Sequence, residues 1–299
     1  MNKFLGALGG NRAADAFRKT VSGDPSGAPE WSKQMAIGND AGLFGPDSAV
    51  WQVHGCIATL VGGIRALLMQ AAHPAALTGV AEHSAYDTDP LGRLERTTRW
   101  LTITSFGSTE AIEIEARRVR EMHKRVTGTF EEKSGSRSPY SASDPRYLLW
   151  VHCAFTDSFL RAHEELGYDL PQGADQYVRE WSKSAEPLGL TSAPLSKKEL
   201  ADVMASFAQN EVTSIAMTPP IVGFILKPPF SKGGLFFYRI LANAAIATID
   251  EPFLSVLGLK PRSKSWLRLS KVLLDFLSYM LGHESPSQKI ARQRINALQ

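Results

Sequence analysis

The chain has 299 residues, of which 43% are hydrophobic and 21% charged, a globular balance that excludes a collagen-like, disordered or disulfide-dense polymer. Its 33 basic and 30 acidic residues leave a formal charge of only +3, evenly interspersed, so no nucleic-acid partner is expected. Cys56 and Cys153 both lie in apolar runs and read as buried thiols, which suits a reducing, cytoplasmic setting.

From the amino end, the Phe4 to Leu8 run is too short for a secretory core. Residues 1–40, rich in Gly, Ser, Pro and charge, are expected to form a flexible arm ahead of a single multi-helix domain over 41–299. The spacing predicts helix from 49 to 72, in two pieces meeting at Gly55, ended by His73-Pro74 because the residue before proline resists the α conformation. The apolar stretch 56–72 is broken by Arg65 and by Gly62-Gly63. It falls short of the ~20 clean residues a spanning helix needs. A core helix is expected, and membrane contact is at most peripheral.

Asp89-Pro90 opens a helix to about 105, closed by Gly107; Ser108 caps another to 126, with acids early and bases late as the macrodipole favours. Residues 131–143 read as a polar loop, and Asp144-Pro145 starts a long helix to 166, stopped by Gly167. Further helices are predicted over 173–184, 197–211, 234–249 and 264–281, and strand signals are nearly absent. The fold class is therefore all-α. Segment 218–230 is apolar but bracketed by proline pairs, so one helix cannot run through both ends; within it, 221–230 either lines a substrate route or packs on the core.

Ile112, Ala116, Val119, His123 and Val126 recur at three- and four-residue steps, which places His123 on the apolar face of its helix. A lone histidine there is more often a core residue bonded to a carbonyl than a ligand. Arg93, Arg96, Thr97 and Trp100 form a polar stripe on the preceding helix that two adjacent helices can bring to a common pocket with His123. His73, His83 and His152 also sit in apolar surroundings. Histidine pairs at zinc spacing, a Cys-x-x-Cys-His haem attachment, the phosphate-binding glycine motifs and Gly-x-Ser-x-Gly are all missing.

Four runs in order, RALLMQAAHP at 65–74, DPLGRLERT at 89–97, RRVREMH at 117–123 and WVH at 150–152, resemble the MpaB and rubber-oxygenase catalytic domain family over about 51–190. The resemblance implies a globin-like helical core around a non-covalent haem b, with oxygen chemistry on a hydrophobic small molecule. By that resemblance His123 matches the iron-binding histidine of latex clearing proteins, and Arg93 and Thr97 match an arginine and a threonine on the distal side. Arg96 stands where the family places a lysine that serves as a removable distal ligand. A guanidinium stays protonated and offers no lone pair, so the sixth position is expected to be open to dioxygen. Glu82 is the nearest acid to the family's acidic residue, but its spacing leaves the base unassigned. The expected function is thus a haem-dependent oxygenase or related oxidase, with His123, Arg93, Arg96 and Thr97 binding the cofactor and Arg93 and Thr97 catalytic. The alternatives are a non-catalytic haem or lipid carrier and a metal-free helical interaction protein.

Overall fold

Residues 18–19, 24–84 and 90–298 are described by the structure, a computed structural model, except for the side chains of 90, 91, 93 and 94. The hydroxyl of Ser48 accepts from Trp51 N and opens α1 (Ala49–Gly55), and α2 (Thr59–Ala71) follows after a 90° bend, the two-piece helix predicted. Proline restarts the chain as α3 (Pro74–His83). Next come α4 (Pro90–Phe106) and α5 (Thr109–His123), the latter capped by Ser108, whose Oγ accepts from Ala111 N at 3.1 Å.

Where a polar loop was predicted, the chain forms an antiparallel hairpin, β1 (Thr127–Glu131) and β2 (Arg137–Ser141), turning at Gly135 with φ +84°. Only Phe130 and Tyr140 are buried in it. One apolar residue per strand is too little for a period-2 signal. The hairpin also ends α5 at His123 rather than at the predicted 126.

Asp144 accepts from Arg146 N at 2.8 Å to cap α6 (Pro145–Glu165), as predicted. After α7 (Ala174–Trp181) come two 3-10 turns, Ser182–Ser184 and Glu186–Leu188. The remaining helices are α8 (Lys197–Asn210), α9 (Thr218–Leu226), α10 (Lys232–Ala247), α11 (Glu251–Val256), α12 (Ser265–Leu281) and α13 (Pro286–Asn296). Helix α9 begins on the first proline pair and stops before the second, as their chemistry demands.

The chain is predominantly α-helical, and α2 and α6 form its central pair. Gly62 permits their approach: a Cβ there would lie 2.7 Å from the Phe159 ring and 3.2 Å from Phe159 Cα. Beside that contact Arg65, fully buried, places Nη2 2.7 Å from Asp157 Oδ2, off the hydrogen-bond line, and donates from Nη1 to Ser158 Oγ at 2.8 Å. Helices α9 and α10 lie on α2, and α12 packs on α10. One cluster of buried apolar side chains runs from Trp31 to Ala291.

The arm expected over 1–40 needs correcting for residues 30–40. A 3-10 segment, Glu30–Ala36, buries Trp31 and Met35, and Arg294 of α13 donates to the carbonyls of Met35, Asp40 and Phe106. These residues belong to the packed body because two apolar side chains and a guanidinium clamp hold them. Among the described residues no single helix is long and apolar enough to cross a membrane.

Helices α1, α4 and α7 are tied by His54. Ser105 donates its hydroxyl proton to Leu101 O at 2.7 Å, so His54 Nδ1 donates to Ser105 Oγ at 2.7 Å and Nε2 accepts from Tyr177 OH at 2.9 Å. Burial, assisted by nearby His163, pushes this imidazole down to about 3, and burial keeps Tyr177 a phenol.

Gly62→Val forces α2 and α6 apart and is expected to cost about 1–3 kcal/mol in urea unfolding. His54 titrates near 6.5 when unfolded and near 3 when folded, so below pH 6.5 the unfolded chain binds the extra proton. Stability therefore falls on acidification through that range, by up to about 1.4 kcal/mol per pH unit from this group, and His54→Asn flattens the slope.

Candidate functional site

A cavity of about 300 Å³, in the range of small-molecule sites, opens between α3, α4, α5, α6, the hairpin and the turns after α7. Helical spacing brings each wall residue to it. Thr97 and Leu101 with Arg96 and Trp100 come from α4; Arg118, Val119, Met122 and His123 from α5; Leu148, Val151, His152 and Phe155 from α6. Ala76, Gly79, Val80 and His83 of α3 and Tyr140 of β2 close one side, and Trp181, Ala185, Leu188 and Leu190 the other. The walls are mostly apolar.

His123 is half-buried rather than buried, because it occupies the last turn of α5, where the hairpin carries the chain away and leaves the ring on the cavity wall. Burial depresses its pKa, so the imidazole is neutral near pH 7. His152 lines the same cavity and is pushed down to about 4 by burial. Neither ring has a hydrogen-bond partner among the described residues, and that is the property expected of a polar group awaiting a ligand. A carbonyl or carboxylate that would orient His123 from behind is likewise missing among them.

The other histidines are occupied. His73 is buried outside the cavity, its Nε2 3.1 Å from Glu211 Oε2 and its ring among Tyr147, Trp150 and Phe207. Arg146 pairs with the same carboxylate at 2.9 Å. His83 touches the cavity but places Nε2 3.0 Å from Thr127 O, tying α3 to β1. The apolar segment 221–230 contributes nothing to the cavity. Ile221, Val222 and Ile225 are instead buried in the core, so the first half of the segment packs. Glu82 is exposed beside Gly128 and is not on the wall.

One charged element stiffens the site. Glu115, fully buried on α5, accepts from Arg99 Nε of α4 at 2.9 Å and from Arg118 Nε at 3.0 Å. The carboxylate thereby locks α4 to α5, and with them Thr97 to His123, and holds Arg118 against the cavity wall.

Residues 51–278 match the family model described as ER-bound oxygenase mpaB/B'/Rubber oxygenase, catalytic domain. The chain belongs to this MpaB and rubber-oxygenase family. No curated protein and no solved structure matches it. The match carries the family assignment into α12, well past the 190 expected from motifs.

Of the residues singled out for this family, Arg96, Thr97 and His123 converge on one cavity. The side chain of Arg93 and the cap at Asp89 lie outside the described residues; Arg93 itself falls on α4, one turn before Thr97. Glu115 escaped the sequence reading, and His152 was noted there without a role. Glu115 carried no signal among the many charges of its helix. His152 did, since Leu148, Val151, His152 and Phe155 share one face at steps of three and four, but so does any core stripe.

Glu115→Ala leaves two guanidiniums facing one another without their counter-charge and is expected to cost about 3 kcal/mol in urea unfolding, while Glu115→Gln costs less because both hydrogen-bond acceptors are not lost.

Proposed function

We propose that this chain is a haem-dependent oxygenase of a hydrophobic small molecule, with His123 as the protein ligand to iron. The observation that supports it is the neutral imidazole of His123, without a hydrogen-bond partner among the described residues, on an apolar cavity wall in an oxygenase-family chain. The donor set fits the group. Among the described residues there is no cluster of three or more His, Cys, Asp or Glu side chains able to hold a bare metal ion. A macrocycle brings its own four nitrogens and asks the protein for one neutral imidazole and apolar walls. Bound there, haem supplies redox-active iron at which dioxygen reacts.

The chain's own residues do the rest. Burial keeps the proton off His123, so a ring nitrogen carries the lone pair that ligation needs. Val119, Met122, Val151 and Phe155 exclude water and favour an apolar substrate. Thr97 provides a hydroxyl donor, and Arg96 a permanent cation that polarises the cavity without competing for the metal. Arg93 lies a turn earlier on α4, and its proposed catalytic role beside Thr97 rests on the family resemblance. His152, also neutral, is a second uncharged hydrogen-bonding group in the same apolar enclosure.

Haem-supplemented wild type is expected to bind haem stoichiometrically with a Soret band and to consume oxygen when given apolar substrates. His123→Ala is expected to lose the band, whereas Thr97→Val keeps it and loses oxygen consumption. Wild-type haem affinity in His123→Ala overturns the ligand assignment, and a protein that refuses haem overturns the function.

A further inference from the structure

Far from the cavity, α12 breaks the rule that a surface helix turns charge to the solvent. Its inner face is buried in the usual way: Leu267, Ser270 and Leu274 pack inward, and Ser270 Oγ donates to Ile240 O of α10 at 3.2 Å. Its outer face carries Leu269, Val272, Phe276 and Tyr279, 46%, 69%, 60% and 57% exposed. The steps of three, four and three place these side chains one above another along about 15 Å of helix. On neighbouring α10, Phe236 and Phe237 are 63% and 51% exposed with their rings 5.6 Å apart. Scattered single apolar residues need no explanation, but an aromatic and aliphatic stripe of this length does.

The charge around the stripe identifies its occupant. Between residues 227 and 279 the chain carries eight Lys and Arg against three Asp and Glu. Two of those acids are already paired, Asp250 with Arg161 and Asp275 with Lys271. Lys227, Lys232, Arg239 and Arg268 have no ion-pair partner among the described residues. An apolar stripe flanked by uncompensated cations is the composition of a helix lying in a lipid interface, its rings among the acyl chains and its cations at the headgroups. A second copy seated face to face would oppose these same cations and repel them.

We propose that α12, with Phe236 and Phe237 of α10, is the face by which this protein docks on an anionic lipid surface. None of these residues lines the cavity, so the docking stands independently of the haem assignment.

The experiment is flotation of the full chain with vesicles of pure phosphatidylcholine and with vesicles containing about one-third phosphatidylserine. Wild type is expected to float with the anionic vesicles and to be released by high salt. Val272→Asp/Phe276→Asp and Lys232→Glu/Arg268→Glu are each expected to weaken partitioning at least about tenfold. Both pairs sit on exposed helix faces, and unchanged circular dichroism and melting confirm that they fold. The proposal is overturned if wild type does not float, if it floats equally with both vesicle types, or if neither variant changes its partitioning. It is also overturned if the stripe instead supports self-association or an acidic protein partner, seen in sedimentation as a complex that Val272→Asp/Phe276→Asp dissolves while wild type ignores vesicles.

Discussion

The contact between α2 and α6 is what the rest of the molecule depends on. Gly62 lets the two backbones approach against Phe159, and the buried Arg65 is compensated by Asp157 and Ser158 at the same level. A guanidinium removed from water without those partners would unfold the pair, so the hydrophobic helix tolerates its arginine only in this register. Helices α9 and α10 then stack on α2, and α12 on α10. Earlier on α6, one to three turns before Phe159, the helix instead lines the cavity.

The site is assembled by elements that no single stretch of chain specifies. Leu148, Val151, His152 and Phe155 of α6 form one wall, while α4 and α5 form another and are clamped by the shared carboxylate of Glu115. The hairpin, with Tyr140 over Gly79, closes the side where α5 ends. That arrangement produces a mostly apolar cavity whose polar groups are few and mostly uncharged, the environment in which a neutral imidazole is available to a ligand. Trp181, on the far wall, packs its ring tilted against His54 with centroids 4.2 Å apart, so the network tying α1, α4 and α7 also supports the cavity from behind.

The haem assignment and the lipid-docking face draw on different parts of the chain. The first concerns the half-buried ring of His123, which has no hydrogen-bond partner among the described residues; the second concerns residues exposed to water that ordinarily avoid it. Both are departures from the usual pairing of residue type with environment, and such departures concentrate where a protein meets something other than itself.

Much of the architecture was legible in the chain alone. Proline and cap residues marked the starts of α4, α5 and α6, the break near Gly55 separated α1 from α2, and ordered motifs pointed to the family and to His123. Such signals are local, because capping and proline sterics act within one turn of helix. Even α13 had one, the Ser285 and Gln288 capping box around Pro286, which the helix assignment overlooked. Other features are decided by distance in space rather than along the chain. The hairpin had one inward side chain per strand and drew its stability from α3 and Tyr147; residues 30–40 are held by an arginine more than 250 positions away. Periodicity placed His123 on an apolar face, but only packing decided that this face borders a cavity instead of solid core, and that Glu115 and His152 belong to the same site. Sequence determines which face of a helix is apolar; what that face meets depends on how the helices are stacked.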